Sequence, residues 1–172
     1  MRTALPLLLG FAVPFLPSCS VLSEDELLEK AQTEHKAGNY QEALKYYEII
    51  LDEYPSGMYK SSTLFLLGSL YSNEFKDQRA AVQYYREFAG SYPDDKDAPL
   101  ALFLIGFIYN NELQEFESAK TAYLSFLSQY PDHEMAASAQ FELEHLGEDA
   151  ARVLQSARSE KGSKDASSRV NE

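Results

Sequence analysis

One pair of side chains has the residue types and the spacing for metal chemistry. Glu142 and His145 form a Glu-x-x-His pair, the spacing that places two ligands on one face of a helix in di-iron bundles. Such a site needs a second copy of the motif and two further Glu residues on facing helices. The sequence holds one copy, so we interpret this pair as part of a solvated helix face.

A second acidic group, Asp94, Asp95 and Asp97, has the composition of a calcium loop. It lacks the Gly and the Glu of an EF-hand loop, and we expect Asp97 to cap the helix that contains Pro99. The chain also has no phosphate-binding loop and no nucleophile elbow. The sequence therefore predicts a protein that is not an enzyme, with no metal, no cofactor and no small-molecule substrate.

Cys19 is the only cysteine of the chain, so a disulfide within the chain is impossible. It follows an apolar stretch, residues 4–16, which comes after the positive charge of Arg2 and is typical of a secretory signal. The sequence Leu-Pro-Ser-Cys at positions 16–19 resembles the lipobox of bacterial lipoproteins, although Pro17 departs from the usual small residue. The alternative is an ordinary signal peptide with an incidental Cys.

The lipobox resemblance implies an anchored protein. Residues 1–18 would be the signal peptide, Cys19 the lipidated first residue of the mature chain, and residues 19–22 a short linker. Ser20 stands where inner-membrane lipoproteins of enteric bacteria carry Asp. The resemblance thus implies the periplasmic face of the outer membrane, and the alternative is the periplasmic face of the inner membrane.

The chain is acidic, with a net charge of −12 over 172 residues, of which 45% are hydrophobic. That length and composition allow one modest domain. Nucleic acid is an unsuitable partner for it, because phosphate binding needs clustered Lys and Arg.

A Tyr-Pro pair recurs every 38 residues, at positions 54–55, 92–93 and 130–131. The segment 64–75 also aligns with the segment 102–113 at the same offset. A fixed period of this size indicates an array of structural repeats. Apolar residues recur at helical spacing within each repeat, so the sequence predicts a helical solenoid.

Cap and turn residues define the first helices. Ser23 and Glu26 have the form of a capping box. Gly38 can adopt the left-handed conformation that ends a helix, and Asn39 can cap the next helix with Glu42 at its third position.

The repeats resemble the tetratricopeptide repeat (TPR). In the first repeat Gly38 and Tyr40 mark the turn, Ala43 and Tyr47 lie on the second helix, and Pro55 closes the unit. Gly68 and Gly106 occupy the small first-helix position in the second and third repeats, where they let two helices approach closely. The resemblance covers residues 23–147 and implies an all-α TPR solenoid of about three and a half helix-turn-helix repeats.

This layout divides the mature chain. The TPR domain spans residues 23–158 and a disordered tail spans residues 159–172, because that tail is almost entirely polar. The units within the domain are three repeats, followed by a half repeat with a terminal cap, at about 23–55, 56–93, 94–131 and 132–158.

The TPR resemblance implies a binding groove on the inner face of the first helices. Counted from Gly68 and Gly106, the exposed candidates are Ser69, Ser72, Asn73, Phe107, Asn110 and Asn111. The Asn side chains could bind the backbone of a peptide or helix, or they could simply keep this face hydrated. The first helix at 100–113 has no basic residue, so we do not expect a clamp for a carboxylate.

Lengthened repeats with a lipobox resemble the D lipoprotein family of the β-barrel assembly machinery. The repeats also resemble the periplasmic coordinator of the Tol-Pal system, which usually has no lipobox. These resemblances imply a non-enzymatic scaffold for protein partners of the cell envelope, held to the membrane through Cys19, with outer-membrane protein assembly as the expected pathway. The alternative is an envelope ligand-binding accessory linked to peptidoglycan and cell division or to transport.

Overall fold

The computed structural model describes residues 22–148 of the chain. The signal peptide, Cys19, the tail at 159–172 and all but the first residue of the capping helix expected at 148–158 lie outside the described residues. Seven α-helices follow one another: α1 Glu24–Lys36, α2 Tyr40–Glu53, α3 Lys60–Leu70, α4 Gln78–Ser91, α5 Ala98–Phe107, α6 Phe116–Gln129 and α7 Ala136–Glu144.

The helices form three stacked pairs and a closing helix. The pairs are α1 with α2, α3 with α4, and α5 with α6, and they stack through α2 on α3 and α4 on α5. Helix α7 packs against α6. The predicted all-α solenoid of three and a half repeats is therefore confirmed. None of the helices between residues 22 and 148 is long and apolar enough to cross a membrane.

Each of two glycines lies against a buried tyrosine of the same repeat. A Cβ atom on Gly68 would lie 2.7 Å from Cδ1 of Tyr85, and one on Gly106 would lie 2.6 Å from Cε1 of Tyr123. Both rings are buried. The predicted role of these glycines in close helix approach is confirmed.

The predicted first cap is present. The Ser23 side chain accepts a hydrogen bond from the backbone amide of Glu26, and the Glu26 carboxylate accepts one from the backbone amide of Ser23. Gly38 adopts a left-handed φ of 80°, as expected. Ser23 therefore caps the start of α1, and Gly38 ends it.

Two other predicted caps are wrong. Asn39 precedes α2, but its side chain makes no hydrogen bond to that helix. The side-chain amide of Asn39 instead donates a hydrogen bond of 2.8 Å to the carboxylate of Glu34 on α1. Asp97 precedes α5 without capping it. Its own backbone amide donates to the carboxylate of Asp95, which also accepts a hydrogen bond from Ser61 of the preceding repeat.

Helices α3 and α5 continue into wide π-helical turns, Tyr71–Phe75 and Ile108–Glu112. These turns have no counterpart among the elements predicted from the sequence. The next residues that reverse the chain, Lys76 and Gln114, have left-handed φ angles of 57° and 55°. They lie 38 and 76 residues after Gly38, so the same turn conformation is formed in one repeat by Gly and in two repeats by larger residues.

Tyrosines of the recurring Tyr-Pro pairs tie segments that are distant in sequence. The Tyr130 hydroxyl donates to the carbonyl of Pro93 over 2.7 Å, which joins the ends of the second and third repeats. The Tyr54 hydroxyl donates to the carbonyl of Leu22 over 2.8 Å. The chain just before α1 is thereby held against the end of the first repeat.

Candidate functional site

Three of the six predicted groove residues are exposed, and Ser69 is half-buried beside them. Asn73 and Asn111 are exposed. The Asn73 side chain donates a hydrogen bond of 3.1 Å to Ser69 Oγ, and the Asn111 side chain donates one of 3.1 Å to the carbonyl of Phe107. The Phe107 side chain is 39% exposed. We call Ser69, Asn73, Phe107 and Asn111 the first-helix face.

The other two predicted groove residues point into joints of the structure. Ser72 is half-buried, and its hydroxyl donates a hydrogen bond of 3.1 Å to the side chain of Gln78 at the start of α4. Asn110 is only 7% exposed, so the expectation of an exposed side chain there is wrong. Its Oδ1 atom accepts a hydrogen bond from the backbone amide of Gly147, and its amide donates to Glu142.

The Glu142 side chain therefore contributes a hydrogen bond to the contact between the third repeat and α7. It is half-buried, so its interpretation as part of a solvated helix face is wrong. Burial, together with the negative charge of Glu142, raises the pKa of the Tyr123 phenol. His145 instead stacks on Phe141, with ring centroids 4.2 Å apart. The described part of the chain holds no group of three or more His, Cys, Asp or Glu placed to bind a metal.

A cavity lies on a different surface, between α4 and α6 and above α5. Its volume is about 440 Å³, within the usual range of ligand pockets. Its lining combines apolar side chains with polar groups at the edge: Leu102, Ile105, Ala122, Arg86, Tyr109 and Glu117. We call this cavity the α4–α6 cavity.

Two further hollows extend this cavity along α4. The first, of about 120 Å³, shares Arg86 and Tyr109 with it and is also lined by Arg79 and Leu113. The second, of about 670 Å³, shares Arg79 and Leu113 with the first and reaches Lys76. Together the three form a channel beside α4, which we call the α4 channel.

The α4 channel carries charges of both signs: it is lined by Lys76, Arg79 and Arg86 and by Asp77, Glu112 and Glu117. Arg79 and Arg86 are the two arginines between residues 22 and 148. Arg79 forms an ion pair with Glu115, and Arg86 donates a hydrogen bond of 2.9 Å to the hydroxyl of Tyr109. Such a channel can bind a segment that offers apolar side chains together with charged ones.

Sequence reasoning missed the α4–α6 cavity because it searched the first helices alone. One signal was available. Positions 46, 84 and 122 are equivalent in the three repeats, and they hold Tyr46, Tyr84 and Ala122. The loss of a large side chain at the third position is visible in the repeat alignment, although the space it leaves is not.

Residues 21–156 match the family model YfiO, described as outer membrane lipoprotein. This match spans every helix of the solenoid and most of the chain. The chain belongs to the YfiO family of outer membrane lipoproteins. Among curated proteins, no match to the chain was found. Family membership supports the lipid-anchored, outer-membrane character that the lipobox resemblance implies. The matched residues include the whole of the described solenoid.

Proposed function

We propose that this YfiO-family lipoprotein is a non-enzymatic scaffold that docks protein partners on the periplasmic face of the outer membrane, in outer-membrane protein assembly. The match of residues 21–156 to the YfiO family is the observation that carries this proposal. The open α4 channel supports it further, because partner segments bind in apolar hollows edged by charged groups.

Lipidation at Cys19 would hold the first repeat close to the membrane. Leu22 lies three residues after Cys19, and its carbonyl is bonded to Tyr54 at the end of the first repeat. Three extended residues span at most about 10 Å. The solenoid would then start at the membrane surface and present its later repeats to partners in the periplasm.

The proposal is tested by a crosslinked pull-down from native membranes. The wild-type chain is compared with Cys19→Ala, which removes the anchor, and with Asn73→Ala/Asn111→Ala, which alters the first-helix face. We expect a defined set of envelope proteins with the wild type and the loss of that set with Cys19→Ala. Its loss with the Asn pair would identify the first-helix face as a docking surface.

The pathway is tested separately in a deletion strain. We expect lower levels of folded outer-membrane proteins, restored by the wild-type chain and not by Cys19→Ala. Normal levels in the deletion strain would contradict the role in assembly. A pull-down that recovers glycan or small solute without protein would contradict the scaffold function and favour a ligand-binding accessory.

A further inference from the structure

The α4–α6 cavity lies where the internal series of tyrosines is interrupted. Ala122 stands in the third repeat at the position that Tyr84 occupies in the second. Ala122 is 8% exposed and lines the cavity. The cavity therefore lies next to the position of a side chain that the previous repeat retains.

The second repeat shows how an aromatic ring occupies this position. The Tyr84 ring stacks on Tyr71, with centroids 5.4 Å apart and an angle of 13° between the ring planes. In the third repeat, the equivalent of Tyr71 is Tyr109, which lines the α4–α6 cavity. The apolar residues beneath are also equivalent in the two repeats: Leu64 and Leu67 in one, Leu102 and Ile105 in the other.

We propose that the α4–α6 cavity receives an aromatic side chain of a partner protein, which stacks on Tyr109 as Tyr84 stacks on Tyr71. Aromatic side chains that fill pockets are the residues that contribute most to protein interfaces. This inference rests on the proposed scaffold function and deepens it, since it names the class of residue that a partner presents.

Arg86 specifies one neighbour of that aromatic residue. It lines both the cavity and the next hollow of the α4 channel, whereas Glu117 lines the cavity alone. Arg86 is bonded to the Tyr109 hydroxyl, so its guanidinium is placed beside any ring that stacks on Tyr109, where a cation and a ring attract each other. An acidic residue of the partner next to the aromatic one therefore pairs with Arg86.

Three capped tripeptides test this inference on the full chain purified in detergent. The probe is acetyl-Asp-Tyr-Asp-amide, and the controls are acetyl-Asp-Leu-Asp-amide and acetyl-Lys-Tyr-Lys-amide. Binding is followed by the methyl NMR signals of Leu102 and Ile105, with those of Leu64 and Leu67 as an internal reference. We expect the probe to shift the first two signals, and each control peptide to bind about tenfold more weakly, which corresponds to about 1.4 kcal/mol.

Two variants distinguish the cavity from general surface binding. Ala122→Tyr rebuilds the arrangement of the second repeat, so the probe should no longer shift Leu102 and Ile105. Tyr84→Ala opens the equivalent place one repeat earlier, so the probe should then also shift Leu64 and Leu67. Unchanged binding to Ala122→Tyr, or equal binding of the Tyr and Leu peptides, would overturn the inference.

Two further results would also overturn it. Absence of any shift with the probe, when the pull-down still recovers envelope proteins, would refute the aromatic pocket and leave the scaffold function standing. Sedimentation that shows a wild-type dimer and a monomeric Ala122→Tyr variant would assign the cavity to a second copy of this chain.

Discussion

The side-chain oxygen of Asn110 accepts a hydrogen bond of 3.0 Å from the backbone amide of Gly147. Asn110 lies in the π-helical turn that follows α5, and Gly147, with a φ of 76°, follows the closing helix α7. This bond joins two segments 37 residues apart. It explains how a single unpaired helix is fixed to the end of the solenoid.

Asn110→Ala should therefore lower the free energy of unfolding by about 1–3 kcal/mol, because it leaves the Gly147 amide without its partner. Urea unfolding followed by circular dichroism measures the change. Asn111→Ala is the control, since Asn111 is exposed and bonds only within its own helix. Equal losses for the two variants would show that the joint does not depend on Asn110.

Gly106→Ala should destabilise the third repeat by about 1–3 kcal/mol through overpacking. The added Cβ would lie 2.6 Å from the ring of Tyr123, which is fully buried and cannot move aside. Gly90→Ala is the matched control, because no atom beyond its neighbours and its own helix backbone lies within 4 Å of a Cβ placed there. That change should instead stabilise α4 by about 0.5–1 kcal/mol. Thermal unfolding compares the two variants, and a rise for both would contradict the close packing.

Lys76→Gly and Gln114→Gly should each stabilise the chain, by up to about 1 kcal/mol. Both residues hold left-handed φ angles, 57° and 55°, which cost a residue with a side chain about 1–2 kcal/mol, and the greater freedom of unfolded Gly offsets part of the gain. Gly38→Ala is the reverse change at the equivalent turn and should destabilise. Urea midpoints measure all three, and a loss of stability in both Gly variants would argue against backbone strain at these turns.

Tyr85 should make the protein sensitive to alkali. Burial raises the pKa of its phenol from 10.0 to about 12. The unfolded chain releases this proton first, so the free energy of unfolding should fall as the pH rises from about 10 to about 12. In Tyr85→Phe the slope of that fall should be smaller than in the wild type.

Unfolding free energies measured by urea at several alkaline pH values give this slope. Tyr46→Phe removes a hydroxyl from a half-buried ring and serves as the control. Identical slopes in the wild type and Tyr85→Phe would show that the Tyr85 phenol ionises at the same pH in both states.

Much of the solenoid could be predicted from the sequence. The equivalence of Gly68 with Gly106 predicted the close helix pairs that the structure contains. Each of these contacts joins residues of one repeat, and the period repeats it, so several copies of the same pattern pointed to the same packing. The capping box at Ser23 is equally local, because its partners are three residues apart.

The wide turns after α3 and α5 could not be read in this way. Lys76 and Gln114 carry no propensity for the left-handed conformation, and only the surrounding packing holds them there. The same is true of Asn39, whose side chain bonds backwards to Glu34 rather than forwards into α2. Two local partners were available to it, and the helix arrangement selected one.

The sequence by itself determined the repeat period, the helix pairs and the small residues at their contacts, because these depend on spacing along the chain. Only the tertiary structure decided that Asn110 is buried in a joint and that the space beside Ala122 is open. Those outcomes depend on Glu142 and Gly147, more than thirty residues from Asn110, and on Arg86 and Tyr109 around the cavity. A smaller side chain leaves a cavity only where the surrounding residues do not move in to fill the space. That depends on contacts between distant segments, which the spacing of residues along the chain does not specify.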